Sequence, residues 1–387
     1  MNVIFLSPHF PPNYYYFSVR LNELGANVLG LADESFDRLR PELRIALREY
    51  YRVSDMHNYE ELLRACGYFT HRYGKIDRID SMNEYWLETE AHIRTDFNIP
   101  GPNLKVLESM RRKSLMKQKF AKAGVDVAKG SVIQNLKDAK RFIDEVGYPI
   151  VAKPDCGVGA SSTFKITNDN ELIGFFNVKP PDDYIFEEFI QGQIFTFDGL
   201  TDKDGKVVFF TSHTYSQGIM EVVNDDNLMY YYSLRDIPAD LEAAGLRVVK
   251  AYKLRERFFH FEFFRSGQDN RLLGLEVNMR PPGGLTTDMF NYANEIDIYK
   301  EWANIVVHNR FSAAYHRPYH CCYVSRKFNK RYLHSHGEIL EKFGGRILHH
   351  DSISGIFSTA LGNYGYITRS SDLNEILEIA EYIQAVE

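Results

Sequence analysis

The chain has few cysteines, and it lacks both a long apolar run and a block of positive charge. Its four cysteines include no Cys-x-x-Cys pair, so the sequence predicts neither a disulfide framework nor a thiolate metal site. Cys321 and Cys322 are adjacent, and on a strand their side chains would point to opposite faces. No segment has the length of a membrane span, and the N-terminus lacks the basic start of a signal peptide. These features predict a cytoplasmic protein with no membrane partner.

Several nucleotide and nucleic-acid signatures are absent as well. The net charge is −6 and no run of five basic residues occurs, so nucleic-acid binding is not expected. The chain contains neither G-x-G-x-x-G nor GK[ST], which argues against a dinucleotide fingerprint and against a P-loop. What the chain does contain is aromatic residues. Its 25 Tyr and 27 Phe indicate dense cores or a pocket in which rings stack.

The length and the order of the predicted elements indicate more than one domain. A chain of 387 residues is too long for one ordinary core. Alternating strands and helices in residues 1–103, with one helix over 41–50, predict a parallel Rossmann-like α/β layer. Residues 104–312 begin with a basic helix over 111–122, continue as strands and include an irregular stretch at 213–237. Residues 313–387 predict a small α+β unit, so the fold class is mixed α/β and α+β.

The most informative stretch is Leu-Glu-Val-Asn-Met-Arg, which ends in Pro-Pro-Gly-Gly. Side chains on a strand alternate between faces, so Glu276, Asn278 and Arg280 share one face. Glu262 lies in a strongly aromatic segment that predicts the partner strand of the same hairpin. Two carboxylates and an amide that converge favour Mg²⁺ over Zn²⁺. The residues between them predict the core face: Leu273, Leu275, Val277 and Met279.

Each element of this site also has a simpler interpretation. A plain surface strand would explain the Glu276 stretch, and a salt bridge to a core Arg or Lys would explain Glu262. Lys153 precedes a small-residue loop that contains Gly157 and Gly159, and such a loop brings backbone N–H groups close to an anion. A glycine hairpin is the simpler alternative there. The basic helix is open to two interpretations, because a solvated face explains Lys113 and Lys117 as well as phosphate binding does.

Taken in order, these pieces resemble the ATP-grasp superfamily, and within it the carboxylate–amine ligases and carbamoyl-phosphate-synthase-like proteins. The resemblance rests on a helix lysine, a strand-end lysine with a small-residue loop, an E-E-F-I-x-G hinge, an acid on a strand and E-x-N-x-R. It implies a pre-ATP-grasp domain in residues 1–103, an ATP-grasp domain in 104–312 and a small lid in 313–387. It also implies roles for particular residues, with ATP and Mg²⁺ (or Mn²⁺) as cofactors.

Those implied roles fall into three groups. Phosphate contacts would come from Lys113, Lys153, the loop glycines Gly157 and Gly159 and, more loosely, His213. The adenine would meet Glu187 and the hinge residues Glu188, Phe189 and Ile190. The metal would be held by Glu262, Glu276 and Asn278, with Arg280 and Lys153 as catalytic residues. One position departs from the pattern, since Ile194 stands where relatives carry an acid for the ribose. Either Gln193 or Asp198 substitutes for that acid, or the ribose contact is weaker.

The resemblance implies an ATP-dependent ligase that joins a carboxylate to an amine or a thiol through an acyl phosphate and releases ADP and phosphate. Two alternatives stay open, which are bicarbonate or carbamate phosphorylation and a non-catalytic ATP-binding module. Small-molecule acid and amine substrates are the expected partners, and a homodimer is compatible with the resemblance. Segment 213–237 is either a substrate loop or a tyrosine-rich surface loop. Asn83, Glu84 and Glu88 either border the cleft or cap a helix.

Overall fold

The structure, a computed structural model, describes residues 1–157, 162–218, 222, 224–355 and 357–387, and its first part is a parallel sheet. The strands are β1 (Asn2–Leu6), β2 (Asn27–Ala32), β3 (Glu49–Arg52) and β4 (Arg78–Asp80), in the order β3-β2-β1-β4. The accompanying helices are α1 (Tyr15–Glu23), α2 (Pro41–Ala46), α3 (Tyr59–Tyr73) and α4 (Leu87–Asp96). Apolar residues of one face of the sheet pack with α3 and α4, and those of the other face join the core that contains α1.

The helix predicted over 41–50 is too long, because α2 ends at Ala46. Tyr50 and Tyr51 instead belong to β3, where they pair in parallel with Gly30 and Leu31 of β2. Aromatic residues fit a pleated sheet well, and this edge position outweighs the helical pattern of the residues before it.

A small antiparallel sheet follows in residues 130–188. Its strands are β6 (Gly130–Ile133), β7 (Ile150–Pro154), β8 (Phe164–Ile166) and β9 (Tyr184–Glu188), in the order β6-β9-β7-β8. The helices α7 (Leu136–Val146) and α8 (Asp169–Val178) pack on it through a shared apolar core. The other face of the sheet is therefore available to a ligand.

A ten-stranded sheet forms most of the remaining structure among the described residues. Its strands are β5 (Asp126–Val127), β10 (Gly192–Thr201), β11 (Val207–Thr211), β12 (His213–Tyr215), β13 (Tyr230–Ser233), β14 (Phe258–Ser266), β15 (Leu272–Asn278), β16 (His320–Arg326), β17 (Ile347–Ser352) and β18 (Tyr364–Ser370). They follow the order β17-β18-β16-β13-β12-β10-β14-β15-β5, and β11 also pairs with β10.

The helices that accompany this sheet begin with α5 (Leu104–Arg111) and α6 (Lys113–Lys122), which replace the single basic helix predicted over 111–122. The others are α9 (Ala239–Tyr252), α10 (Thr286–Asn294), α11 (Ile298–His308), α12 (His336–Phe343), α13 (Ser358–Leu361) and α14 (Leu373–Gln384). Among the described residues, no helix is long and apolar enough to cross a membrane.

The C-terminal strands continue the central sheet, because β16 pairs with β13 as well as with β18. Cys321 and Cys322 lie side by side on β16 and enter two different apolar clusters, so their side chains point to opposite faces, as the sequence predicts. Both are free thiols. The division of the chain at residues 103 and 312 remains a prediction.

The stretch predicted as irregular over 213–237 contains two strands of this sheet. Tyr231 on β13 is 2% exposed, and its ring packs 5.2 Å from the ring of Tyr323 on β16. Tyr230 and Tyr232 pair with the same strand. These tyrosines are therefore parts of the sheet and not of a surface loop, and part of the connection between β12 and β13 lies outside the described residues.

Candidate functional site

The cleft between the small sheet and the ten-stranded sheet is a cavity of about 560 Å³. The hinge between β9 and β10 joins the two layers and lies along the cavity. Eleven of the residues singled out from the sequence line it: Lys113, Lys153, Gly157, Glu187, Glu188, Phe189, Ile190, Glu262, Glu276, Asn278 and Arg280. Gly159 lies outside the described residues. The fold therefore brings together residues that are up to 167 positions apart in the sequence (Lys113 to Arg280, 280 − 113).

The three predicted metal ligands lie on one hairpin. Glu262 of β14 pairs directly with Glu276 of β15, and Asn278 pairs with His260 one step further along. Burial raises the pKa of the Glu276 carboxyl, while the charge of Lys113 opposes that increase and the carboxylate of Glu262 adds to it. Two acids that face each other in a buried place favour a cation between them.

The donor set fits Mg²⁺ held jointly with phosphate. Among the described residues, no three His, Cys, Asp or Glu side chains are arranged to hold a metal. Glu262 and Glu276 supply only two carboxylates, and the amide of Asn278 is the third donor. Mg²⁺ commonly binds through one or two carboxylates and completes its shell with phosphate oxygens and water. The hairpin is thus suited to a metal that arrives with a nucleotide.

A β-bulge next to Glu262 changes which side chains of β15 face the cleft. The register shifts between Glu262 and Phe263, and an extra residue in one strand interrupts the alternation of faces. Leu273 and Leu275, predicted to face the core, line the cleft instead. Val277 and Met279 do enter the core, with exposures of 0% and 2%. The cleft therefore has an apolar wall beside its charged end.

Two lysines meet one carboxylate at the small sheet. Glu187 of β9 lies 2.6 Å from the Nζ of Lys117 and 2.6 Å from the Nζ of Lys153. Burial alone raises the pKa of Glu187, but the two ammonium groups outweigh burial and the net pKa is lowered. Lys117 also lines the cleft. The resemblance gave it no role, although its position one helical turn after Lys113 on α6 indicates that the two side chains share a face.

Lys113 is held at the other end of the cleft by the small-residue loop. Its Nζ donates to the carbonyl of Gly157 at 2.9 Å, and its backbone N–H donates to the carbonyl of Asp155 at 2.8 Å. The Asp155 carboxylate also accepts from the N–H of Ser114, in the first turn of α6, at 2.7 Å. The loop after Lys153 is therefore fastened to the start of α6, which places both lysines beside Glu276.

The hinge residues line the cleft, and one hinge side chain also supports the fold. The Glu188 carboxylate accepts from the N–H of Lys129 at 2.7 Å, so it serves the fold. Gly192 follows, and a Cβ there would lie 2.1 Å from the carbonyl oxygen of Arg265. Ile194 lines the cleft, but neither Gln193 nor Asp198, the expected ribose contacts, is among the lining residues.

His213 does not reach the cleft, contrary to the prediction of a phosphate contact. It is fully buried, and its Nδ1 lies 2.9 Å from the Asp198 carboxylate. The same carboxylate lies 2.6 Å from Nδ1 of His260, whose Nε2 is 3.2 Å from Glu262. His213, Asp198 and His260 thus form a chain that starts in the buried interior, reaches the cleft at His260 and ends on a predicted metal ligand.

The charge of this chain follows from its burial and contacts. Burial lowers the pKa of His260, but Asp198 and Glu262 outweigh burial and raise the pKa of the imidazole to about 10. Burial raises the pKa of the Asp198 carboxyl, but the two histidines outweigh burial and lower that pKa to about 2. At neutral pH the pair is an imidazolium beside a carboxylate, and it fixes the ring that contacts Glu262.

We expect Asp198→Asn to lower the free energy of unfolding by about 3 kcal/mol near pH 7, because the substitution leaves a buried imidazole without its carboxylate. The wild-type contribution is present at low pH and is lost as the pH rises through the raised pKa of His260, about 10. The difference between the two proteins should therefore shrink from pH 7 to pH 10. Urea denaturation at both values measures it, with the exposed Asp144→Asn on α7 as control. An equal difference at both values would contradict the assignment of charge.

Arg280 is paired with a residue of the N-terminal part. Its Nε and Nη2 donate to one carboxylate oxygen of Glu84 at 3.0 and 2.6 Å, and both residues line the cleft. Of the three N-terminal residues considered in the sequence, only Glu84 borders the cleft. Asn83 accepts from the N–H of Trp86 at 3.3 Å, and Glu88 pairs with Arg111 on the surface. A cation and an anion thus stand side by side next to the metal ligands.

Comparison with known proteins gives a consistent picture for the fold. No family model matches the chain. An L-arginine-specific L-amino acid ligase of Bacillus subtilis is 25% identical over 246 residues, which cover 61% of this chain and 59% of that protein. A solved L-amino acid ligase of Bacillus licheniformis superposes with a TM-score of 0.74 at 15% identity and covers 98% of this chain and 96% of that one. The chain has the ATP-grasp fold.

Other similar proteins catalyse different reactions on this fold. The small subunit of 2-oxoglutarate carboxylase from Hydrogenobacter thermophilus is 30% identical over 164 residues, which cover 40% of this chain and 34% of that protein. The N5-carboxyaminoimidazole synthetase of Staphylococcus aureus superposes with a TM-score of 0.72 at 13% identity, covering 98% of this chain and 96% of that one. The chain spans less than two thirds of the length of these curated relatives.

Proposed function

We propose that this ATP-grasp protein is an ADP-forming ligase that joins the carboxylate of an amino acid to an amine. The observation that carries the proposal is the arrangement at one end of the cleft. Glu262 and Glu276 face each other across the hairpin, and the Arg280–Glu84 pair lies in the same cavity. Such a site can hold a phosphate through a metal and a zwitterion through a paired cation and anion.

Structural neighbours with bound nucleotide support ATP and Mg²⁺ as the ligands. One neighbour is the biotin carboxylase domain of the Hydrogenobacter thermophilus enzyme with MgADP and bicarbonate, at a TM-score of 0.69. In this chain Lys113, Lys117 and Lys153 would contact phosphate oxygens, and the apolar wall beside the hinge would receive the adenine. When bound by Glu262, Glu276 and Asn278, Mg²⁺ would neutralise negative charge on the phosphates.

The proposed reaction has two bond exchanges. A carboxylate oxygen of the acid bonds to the γ-phosphorus of ATP while the bond from that phosphorus to the bridging oxygen breaks, which gives an acyl phosphate and ADP. The amine nitrogen, after loss of a proton, then bonds to the acyl carbon, and phosphate leaves with the former carboxylate oxygen. Arg280 holds the acid near the line of attack, and the lysines stabilise the charge that develops on the phosphates. A thiol would follow the same second step.

The Arg280–Glu84 pair favours an amino acid over a simple carboxylic acid. A guanidinium binds a carboxylate in a planar, two-point geometry, and a neighbouring carboxylate can accept from an ammonium group. The Bacillus subtilis relative is a ligase of L-amino acids, which points in the same direction. An acid without an amino group would leave Glu84 paired only with Arg280.

We expect hydroxamate to form from Mg–ATP, hydroxylamine and a pool of amino acids, because hydroxylamine traps an acyl phosphate without a specific amine site. ADP release should match the hydroxamate formed, and division of the pool identifies the acid. Pools of simple carboxylic acids serve as the control. Binding of Mg–ATP without any product from either pool would contradict the proposed ligase.

Bicarbonate is the second candidate for the acid. The 2-oxoglutarate carboxylase relative and several carbamoyl phosphate synthase large chains match parts of this sequence, and bicarbonate would also meet the metal ligands and Arg280. Bicarbonate-dependent release of phosphate from ATP, without an increase on addition of amino acids, would favour this candidate. A non-catalytic ATP-binding module would release phosphate under neither condition.

A further inference from the structure

A second cavity, of about 270 Å³, lies behind the loop that follows Arg280. Three segments line it: residues 11–16 after β1, the start of α10, and β17 with the residues after it. Gly283 lines the cleft described above, whereas the next residue, Gly284, lines this second cavity. The two cavities share no lining residue. The second cavity is therefore a separate space, one peptide unit from the active cleft.

A carboxylate without a counter-ion faces this space. The Asp288 oxygens accept from the side-chain N–H of Asn13 at 2.7 Å and from the hydroxyl of Tyr299 at 3.0 Å. Among the residues that the structure describes, no lysine, arginine or histidine forms an ion pair with it. Burial is the largest influence on Asp288 and raises the pKa of its carboxyl to about 6. Such a group gains most from a cationic partner.

The other ionisable groups of the cavity leave it negative. Arg40 stacks on the ring of Tyr15 with its guanidinium carbon 4.4 Å from the ring centroid, and its side chain is 54% exposed, so it stands at the rim. Burial lowers the pKa of His349, which keeps that imidazole neutral near pH 7. Asp351 adds a second carboxylate at the exposed side. Arg40 and Asp351 therefore offset each other at the exposed side, and the Asp288 carboxylate leaves the cavity with a net negative charge.

Aromatic rings form much of the remaining wall. Tyr15 and Tyr16 have ring centroids 4.2 Å apart, and Tyr292 and Phe357 complete the lining on the side of α10 and α13. An ammonium or guanidinium ion is attracted to the faces of such rings as well as to a carboxylate. We propose that this cavity is a second small-molecule site that binds an organic ammonium ion, with Asp288 as its counter-ion and the tyrosine rings around its apolar body.

Such a ligand has two sources. It is either the amine substrate of the ligase, which reaches the acyl phosphate past Gly283 and Gly284, or an effector that binds without reacting. Both sources share the same recognition chemistry. Because binding to the cavity requires neither ATP nor the acid, it can be tested even if the proposed ligase reaction is wrong.

Binding is measured by isothermal titration of the full chain, without nucleotide, with phenethylamine, tyramine and cadaverine. Each amine is compared with its hydroxyl analogue, in which an OH replaces the ammonium group. We expect at least one amine to bind about tenfold more tightly than its analogue. Asp288→Asn should weaken binding of that amine by a similar factor while keeping an acceptor for Asn13 and Tyr299. Ser352→Trp, on the exposed edge of the cavity, should also weaken binding because the indole fills the space. Asp144→Asn, far along the chain on α7, is the matched control.

The outcomes separate cleanly. Absence of binding by all three amines at millimolar concentration, or equal binding of amine and analogue, would overturn the proposal. Amine binding that survives both Asp288→Asn and Ser352→Trp would overturn it as well. If binding is lost in both variants, the Michaelis constant for the amine in the ligase reaction identifies the source. An increase of about tenfold in both variants assigns the cavity to the amine substrate, and an unchanged value assigns it to an effector.

Discussion

Glu276→Gln should reduce ATP-dependent turnover by about 10²–10³-fold or more. Glu276 faces Glu262 across the hairpin, and burial raises the pKa of the Glu276 carboxyl. Glutamine has nearly the same shape, but it removes the negative charge that would hold the metal against the phosphates. Hydroxamate formation and ADP release both measure the loss.

The same substitution should leave the protein as stable as the wild type, or more stable. Burial raises the pKa of Glu276, so the charged form costs folding free energy at every pH above the unfolded value. Glutamine removes that cost. Urea denaturation at pH 7 tests this expectation, with Glu341→Gln at an exposed position of α12 as the matched control. Turnover near the wild-type rate would contradict the metal assignment, and loss of both activity and stability would assign Glu276 to the fold.

Arg280→Ala should preserve nucleotide affinity and reduce kcat/KM for the acid by about 10²–10³-fold. Its guanidinium is held by Glu84, at 2.6 and 3.0 Å, rather than by any residue that contacts the lysines. We therefore expect Arg280 to meet the acid and not the nucleotide. Titration with Mg–ATP and steady-state kinetics with the amino acid separate the two effects.

Two further variants sharpen the Arg280 experiment. Arg38→Ala removes a guanidinium whose side chain is 78% exposed. It should change neither the nucleotide affinity nor kcat/KM for the acid. Glu84→Gln should weaken binding of the amino acid more than binding of the corresponding acid without an amino group, because only the amino acid uses the Glu84 carboxylate. A parallel loss of nucleotide affinity in Arg280→Ala would instead assign Arg280 to the phosphates. Equal losses for the two acids in Glu84→Gln would contradict the amino acid as substrate.

The hairpin of β14 and β15, which carries the proposed metal ligands, could be predicted because it depends on local rules. Alternation along β15 and adjacency of two consecutive strands place Glu262, Glu276 and Asn278 together, and the sequence records both. The same rules fail one residue before Glu276. A bulge there turns Leu275 into the cleft, and no pattern in the apolar residues of the strand announces it.

Long-range contacts account for most of what the sequence did not predict. Glu84 and Arg280 are 196 residues apart, and nothing in the helix that follows Glu84 distinguishes a cleft residue from a capping one. His213 and Asp198 illustrate the opposite error. Polar residues on strands have the same appearance in a sequence whether they face a cleft or a buried partner, and here they face each other behind Glu262. Asp288 had no sequence signal at all.

The central claim is that the γ-phosphoryl group passes to a carboxylate in the cleft formed by Glu262, Glu276 and Arg280. Its most direct test uses the amino acid labelled with ¹⁸O in the carboxylate, with Mg–ATP and the amine, and mass analysis of the phosphate released. The acyl-phosphate route predicts one ¹⁸O in each phosphate, since phosphate leaves with the former carboxylate oxygen. Phosphate without label, or pyrophosphate and AMP as products, would contradict the account.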